Sequence, residues 1–457
     1  MRAVYDYKMR NNTDMNMGTR YTITEGVLRF AEDITDLNNI ALKENKPFIE
    51  EIIIPDSIER ICARVFADCV NLRVISFGAN VSIIENEAFR GCCKLESLDL
   101  PESLAEIWDG AFMGCTGLKS LSIPTQVKSV GRHAFKDCSG MERVHVGKSV
   151  SFMLEDAFEG CQAIESFTVD PANSTYDSRE NCHSLVKKDG YRNGGASIHL
   201  MSRNSFIPDG IRYLGSVVYK GYERIQIPES VVEIGSGCFS GCSKLTSIRI
   251  PRSVKYIGKD AFEGCSNLTD ILIPNSVIMV GAFYMGYGLF AGCTSLKKIE
   301  VEPGCRNLDS RDGCNGIVAT HTNSFLSGCD NSFIPDSITE IEGYAFYGCK
   351  GLKSIMIPAS VTRIGDWAFA DCCSLKTLSI PDSVTSIGGF AFAGCTSLEA
   401  IILPPRVKAI PVDILENCPS LSAIYVPKDR RKYYVSRFYN IEPRLFKSYE
   451  GQPPQFG

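Results

Sequence analysis

Apolar positions recur along most of this chain in one fixed order, seen plainly from Ile380 to Leu403: IPDSVTSIGGFAFAGCTSLEAIIL. Written as a 23-residue template this is I-P-x-S-V-x-x-I-G-x-x-A-F-x-G-C-x-x-L-x-x-I-x, after which the next Ile-Pro begins. The single template cysteine measures the period. Cys69, Cys92, Cys115, Cys138 and Cys161 follow at intervals of 23, as do Cys349, Cys372, Cys395 and Cys418. Cys242 and Cys265 keep the same interval, and Cys293 follows after 28. A fixed period of this size predicts a solenoid, each repeat forming one coil against its neighbours. Within a coil, L-x-x-I-x-I and V-x-x-I read as two short strands, with Pro and its polar neighbours turning the chain between them. Gly388, after the second strand, marks a turn that needs positive φ or close approach. The Ala-Phe-x-Gly-Cys piece is too short for an independent helix and reads as one helical or 3₁₀ turn.

The expected fold class is therefore a repeat solenoid: a right-handed, β-rich superhelix of about 14–16 coils with a parallel sheet on its concave face, on the order of 70 Å long at ~4.8 Å per coil. A lone coil buries too little to offset the entropy of ordering its backbone, so only stacking stabilises the array. The phenylalanine of the template should be core, and Phe392→Ala should cost roughly 3–5 kcal/mol.

The template divides the chain. Residues 1–33 form a polar segment and cap, 34–169 a first block of repeats, 207–301 a second and 334–426 a last block, with a C-terminal cap and tail at 427–457. Residues 170–206 and 302–333 break the rhythm with related sequences, Asp177 to Cys182 (DSRENC) and Asp309 to Cys314 (DSRDGC). These read as one irregular module used twice, its Asp-Ser-Arg trio either a polar turn satisfying its own backbone or a catalytic or ligand-binding group. In the coil beginning at Ile273, the stretch Gly281 to Gly286 lengthens a turn. Near the end, Tyr434, Val435 and Phe438 suit a short amphipathic helix closing the last coil.

Charge and cysteine content narrow the function. The net charge is −5 with 22% charged residues, so nothing draws the chain as a whole to nucleic acid or an anionic membrane. No membrane-spanning segment is present, and the N-terminal residues lack the apolar core of an export leader. Twelve of the twenty cysteines occupy the template slot beside Ala-Phe, which predicts a file of free, buried thiols filling core space. The five histidines, His133, His145, His183, His199 and His321, have no zinc spacing, so no metal and no cofactor are expected. Gly286 to Ala291 satisfies G-x-G-x-x-A on paper, but Leu289-Phe290 fills the template's Ala-Phe slot and no βαβ unit surrounds it. Trp108 and Trp367 lie at turn positions of separate coils, which argues against an aromatic carbohydrate platform.

Leu375 to Cys395 (LKTLSIPDSVTSIGGFAFAGC) resembles, nearly residue for residue, the leucine-rich repeat of the BspA-like, Treponema pallidum-type class, and the likeness covers residues 34 to 430. The resemblance implies surface-exposed or secreted adhesion proteins that bind host or microbial proteins, and it brings no catalytic motif. The leading expectation is thus a non-enzymatic protein-binding scaffold. The alternatives are a hydrolase or carbohydrate-active enzyme sited in the irregular modules, and an intracellular assembly scaffold. In L-x-x-I-x-I the residue before the last apolar position points outward, because strand side chains alternate. That slot is mainly polar in the early coils (Ser76, Asp99, Ser122, His145, Thr168), whereas Met356, Ile402 and Tyr425 appear in the last four. These three define a candidate binding strip for a protein partner.

Overall fold

Residues 21–455 are described by a computed structural model, apart from 32, 39–41, 43, 192–194, 216–219, 282–287 and 409. The polar N-terminal segment 1–20 and most of the Gly281–Gly286 insertion lie outside the described residues. The chain divides into two compact units, one of residues 1–211 with 215–219, the other of 212–214 with 220–457.

In the first unit the two strand signals of the template become two parallel ladders. Ser120–Ser122, Arg143–Val146 and Ser166–Val169 pair side by side at offsets of one period, Leu121 opposite Val144 and Val144 opposite Phe167. The V-x-x-I pieces form the second ladder, from Arg60–Ile61 through Ile83–Ile84, Glu106–Ile107 and Ser129–Val130 to Phe152–Met153. An in-register parallel ladder sets like residues above like. The inward file of isoleucines, leucines and valines is thereby buried, and the alternate residues face solvent. YTIT and VLRF (Tyr21–Thr24, Val27–Phe30) make an antiparallel hairpin whose second strand joins Glu51–Ile53 in parallel.

The Ala-Phe-x-Gly-Cys piece is not helical, which corrects the expectation of a helical or 3₁₀ turn. Backbone N–H groups there alternate between two acceptors. Ala88 and Cys92 donate within the turn, to Glu85 O (3.2 Å) and Phe89 O (3.3 Å). Glu87, Phe89 and Gly91 donate to Asp109, Ala111 and Met113 of the next coil, at 2.8–2.9 Å. Left-handed residues four apart produce that alternation: Glu87 (φ 57°) and Gly91 (φ 75°) here, Trp367 (58°) and Asp371 (56°) later. A helix cannot run through such residues. Gly388 is not one of them. A β-carbon there would run into the backbone nitrogen of Asp366, so close approach of the preceding coil is what excludes a side chain.

The template phenylalanines form continuous stacks. Phe66, Phe89, Phe112, Phe135 and Phe158 follow at centroid spacings of 5.2, 5.2, 5.4 and 5.3 Å. In the second unit Phe346, Phe369 and Phe392 follow at 5.0 and 5.7 Å, and Phe325 of the irregular module caps the stack 5.1 Å from Phe346. All twenty cysteines are free, and most template sulfurs have a job beyond filling space. Cys92, Cys115, Cys138 and Cys161 point Sγ–H at the carbonyls of Phe66, Phe89, Phe112 and Phe135, 3.1–3.3 Å away. Cys372 and Cys395 do the same to Phe346 and Phe369 at 3.2 Å. Burial pushes the Cys69 and Cys242 thiols up to about 12, which leaves them almost wholly protonated and unreactive near neutrality. Titrating the denatured, unreduced protein with a thiol reagent should therefore count twenty thiols, whereas the native protein should expose Cys93 and few others. A denatured count well below twenty would show bridges and refute the free file.

The second unit has the same ladders: Glu233–Ile234, Tyr256–Ile257 and Met279–Val280, then Glu340–Ile341, Arg363–Ile364 and Ser386–Ile387. At its end the amphipathic helix spans Arg431–Arg437 and buries Tyr434, and Phe438 just beyond it is buried too. A further strand, Phe446–Tyr449, which the template does not contain, pairs in parallel with Ala423–Pro427.

Candidate functional site

The outward slots of the strand ladder form the first candidate. Ser76, Asp99, Ser122, His145, Thr168, Arg249 and Ser379 are exposed, as alternation requires. In the last block Met356 is 83% exposed, and Ser379, Ile402 and Tyr425 stand opposite one another in consecutive strands. Ile402, however, is buried, with 2% of its surface accessible, so the structure removes it from the strip. Same-face neighbours in adjacent strands lie close enough to touch, and the large side chain of Tyr425 stands next to it on one side. Tyr425 is itself half-buried, because the terminal strand sets Lys447 directly opposite it. Alternation fixes a direction, but accessibility depends on what later chain is laid alongside. Met356 and Tyr425 remain as the accessible members.

The two irregular modules form the second candidate. Each is a set of three antiparallel strands: Tyr176–Asp177, Leu185–Tyr191 and Gly195–Leu200 in the first unit, Leu308–Asp309, Ile317–Ala319 and Ser324–Ser327 in the second. The Asp-Ser-Arg groups are spent on one another, on the backbone and, through Arg311 Nη1, on Asn323 Oδ1 at 2.7 Å. Arg179 grips Asp177 with Nε at 3.0 Å and Nη2 at 2.8 Å, and Arg311 grips Asp309 at 2.9 and 2.8 Å. The same carboxylates accept the backbone N–H of Arg179 and Arg311, at 3.3 and 3.1 Å. Ser178 Oγ donates to Phe167 O at 2.9 Å, and Ser310 Oγ to Gly316 O at 2.7 Å. Left-handed Glu180 and Asp312, both at φ 57°, turn the chain between these anchors. Carboxylates clamped by arginine in this way are structural fasteners. Among the described residues no group of three His, Cys, Asp or Glu side chains is placed to hold a metal ion.

The third arrangement was visible only as single residues in the sequence. Tyr344, Trp367 and Phe390 each precede a template alanine, 23 residues apart, and stack in one file. Tyr344 and Trp367 are 6.2 Å apart at 7°, and Trp367 and Phe390 are 4.4 Å apart at 15°. Tyr347 meets both Tyr344 and Trp367 edge-on, at 5.6 and 6.3 Å. The 23-residue period applied to this slot, and not only to the apolar ones, is the signal that would have found the file. Trp108 is differently engaged: its Nε1–H donates to Glu106 at 2.7 Å, and Arg60 lies 5.6 Å over its ring.

Together the ladders, the phenylalanine stacks and the recurring turn define a leucine-rich-repeat solenoid, in which a fixed inner frame carries variable outer side chains. More narrowly, the chain belongs to the family described as BspA type leucine rich repeat region, whose model matches in six copies over residues 35–165, 201–312 and 322–443. Among solved structures, a leucine-rich repeat protein from Eubacterium ventriosum is 23% identical, with 82% of this chain and 92% of that one covered and a TM-score of 0.55. A leucine-rich repeat protein from Bacteroides ovatus is 24% identical, covering 94% and 98%, with a TM-score of 0.41. A leucine rich cell surface protein from Faecalibacterium prausnitzii is 21% identical, covering 92% and 89%, with a TM-score of 0.39. No curated protein matches the sequence. Among the described residues, no helix is long and apolar enough to cross a membrane.

Proposed function

We propose that this protein is a non-enzymatic adhesion scaffold that binds host or microbial proteins through the outward face of its strand ladders. The observation that carries the reading is the contrast between slots one residue apart. Leu121, Val144 and Phe167 are buried and apolar in successive coils, whereas Ser122, His145 and Thr168 beside them are exposed and polar. A repeating frame whose outer positions are free of core packing can present a surface suited to recognition. The likeness of the repeats to the BspA-like class, which implies surface adhesion proteins, supports the same reading. The enzyme alternative draws no support from the irregular modules, whose carboxylates are clamped by Arg179 and Arg311.

In this reading Met356 and Tyr425 contribute to the contact surface of the last block. The test is saturable binding of the labelled protein to an immobilised panel of purified matrix and cell-surface proteins, repeated with Met356→Asp and Tyr425→Asp combined. The expected result is binding to at least one panel protein, with affinity lowered about tenfold or more, as for an interface anchor, at a melting temperature close to that of the parent. Undiminished binding by the folded double variant would place the contact surface elsewhere. Turnover of a peptide or glycoside substrate, abolished by Asp309→Asn, would overturn the non-enzymatic reading.

A further inference from the structure

In the second unit each coil presents two side chains from its turn, the residue before the template alanine and the residue after the template phenylalanine. The first file reads Asp260, Gly288, Tyr344, Trp367 and Phe390, and the second reads Glu263, Ala291, Tyr347, Ala370 and Ala393. Coil contacts establish that order. Gly264 N–H donates to Ala291 O at 2.7 Å, and Tyr344 N–H donates to Asp366 O at 3.0 Å. A β-carbon on Gly288 would lie 3.0 Å from Tyr344 O, and one on Gly348 would lie 3.0 Å from Gly292 N. The coil at 288–292 therefore abuts the coil at 344–348, and the irregular module between them in sequence does not intervene here.

The middle coil carries almost no side chain in either file, so a notch opens between two unlike walls. Asp260 and Glu263 stand on one side, and Tyr344, Tyr347 and Trp367 on the other, around a volume of about 190 Å³. Among the described residues, Oδ1 of Asp260 is buried and has no hydrogen-bond partner. Oδ2 of the same carboxylate lies 4.0 Å from Lys259 Nζ, and Glu263 accepts a hydrogen bond from Ser240 Oγ at 3.3 Å. Burial, and then the charge of Glu263, push the Asp260 carboxyl up to about 6. Near neutrality it is still mostly ionised, and an unpartnered buried acceptor of that kind destabilises the fold until a donor reaches it.

We propose that this notch binds a primary alkylammonium group, the side chain of a lysine on a protein partner, between the two carboxylates and the aromatic wall. The chemistry selects that group. Ionised carboxylates only accept hydrogen bonds, so the guest must bring donors and positive charge. Aromatic rings favour a cation near their faces. A quaternary ammonium satisfies the rings but offers no N–H to Asp260, and a sugar brings donors but no charge. This site is separate from the Met356 and Tyr425 surface, so either can fail without the other.

The test is a calorimetric or NMR titration of the whole chain with Nα-acetyl-lysine methylamide at pH 7.5 and low salt. Its side-chain-acetylated counterpart, choline, Nα-acetyl-arginine methylamide and n-butylamine serve as comparators. Saturable binding of the lysine probe is expected, about tenfold or more tighter than the acetylated probe and choline, the ratio set by one lost charge-assisted hydrogen bond. Asp260→Asn and Trp367→Ala should each weaken binding by about fivefold or more. Asp260→Asn also removes the charge that Oδ1 carries without a partner, so its melting temperature should not fall below the parent's, and the melting curve separates lost binding from unfolding. No binding of the lysine probe, equal binding of the acetylated probe, or unchanged affinity in folded Asp260→Asn would overturn the proposal. Tighter binding of choline or the arginine probe would overturn the choice of a primary ammonium, and tighter binding of n-butylamine the choice of a protein side chain.

Discussion

Phe112→Ala should lower the stability of the folded chain by about 3–5 kcal/mol, the cost of emptying a fully buried aromatic site. The ring is 0% exposed and lies between Phe89 and Phe135, at 5.2 and 5.4 Å and within 5° of parallel to each. Truncation removes both stacking contacts as well as the apolar area, and stacked aromatic pairs contribute beyond their area. The cavity cannot close easily. Phe112 N–H donates to Ala134 O of the next coil at 2.7 Å, and the thiol of Cys115 in its own coil donates to Phe89 O of the preceding one at 3.3 Å, so both neighbouring coils are held at their spacing. Phe392, whose ring is 5.7 Å from Phe369 and tilted by 17°, should sit at the lower end of the range. Denaturant unfolding of the two variants checks this. An unchanged midpoint for Phe112→Ala would show that the stack contributes nothing.

Lowering the pH should destabilise the first unit through His199, by about 2 kcal/mol at pH 5 and about 3 kcal/mol at pH 4 relative to neutrality. The ring is 6% exposed, its Nε2 lies 3.0 Å from Met153 O, and Tyr176 packs 5.4 Å from it. Burial, and then the nearby charge of Lys187, hold the imidazole down to about 4, and the Met153 carbonyl only partly opposes them. The sign follows from the two states. Above pH 6.5 the histidine is neutral folded and unfolded, and it contributes no pH dependence. Between 6.5 and about 4 the unfolded chain takes up a proton that the folded chain refuses, so stability falls. Below about 4 both states are protonated, and the loss stops growing. His199→Gln keeps a donor for Met153 O and removes the titration. The difference in stability between parent and variant should therefore change by these amounts on acidification, while the carboxylates common to both cancel. A difference independent of pH would show that the ring is solvated.

What the sequence by itself determined is everything that one period repeats. Two parallel ladders, the buried phenylalanine file and the thiol file all follow from residues 23 apart, because stacking identical coils in register turns a spacing along the chain into a contact across it. Met356 and Ile402 show where that inference stops. They occupy the same outward slot, yet one is 83% exposed and the other 2%, because Tyr425 and the non-template strand Phe446–Tyr449 are laid over the last coils. The left-handed pair at Glu87 and Gly91 was equally hidden, since one of its two positions is occupied by glutamate, histidine, tyrosine and tryptophan in different coils and carries no compositional mark. The notch depended on tertiary structure most of all. Asp260, Gly288 and Tyr344 are 28 and 56 residues apart, intervals that the template does not contain. The irregular module at 302–333 takes up the extra chain in its own antiparallel strands, and the coils on either side then close directly upon each other. A period read from sequence counts residues, whereas a site is formed by whichever coils end in contact, and an insertion that folds on itself separates the two.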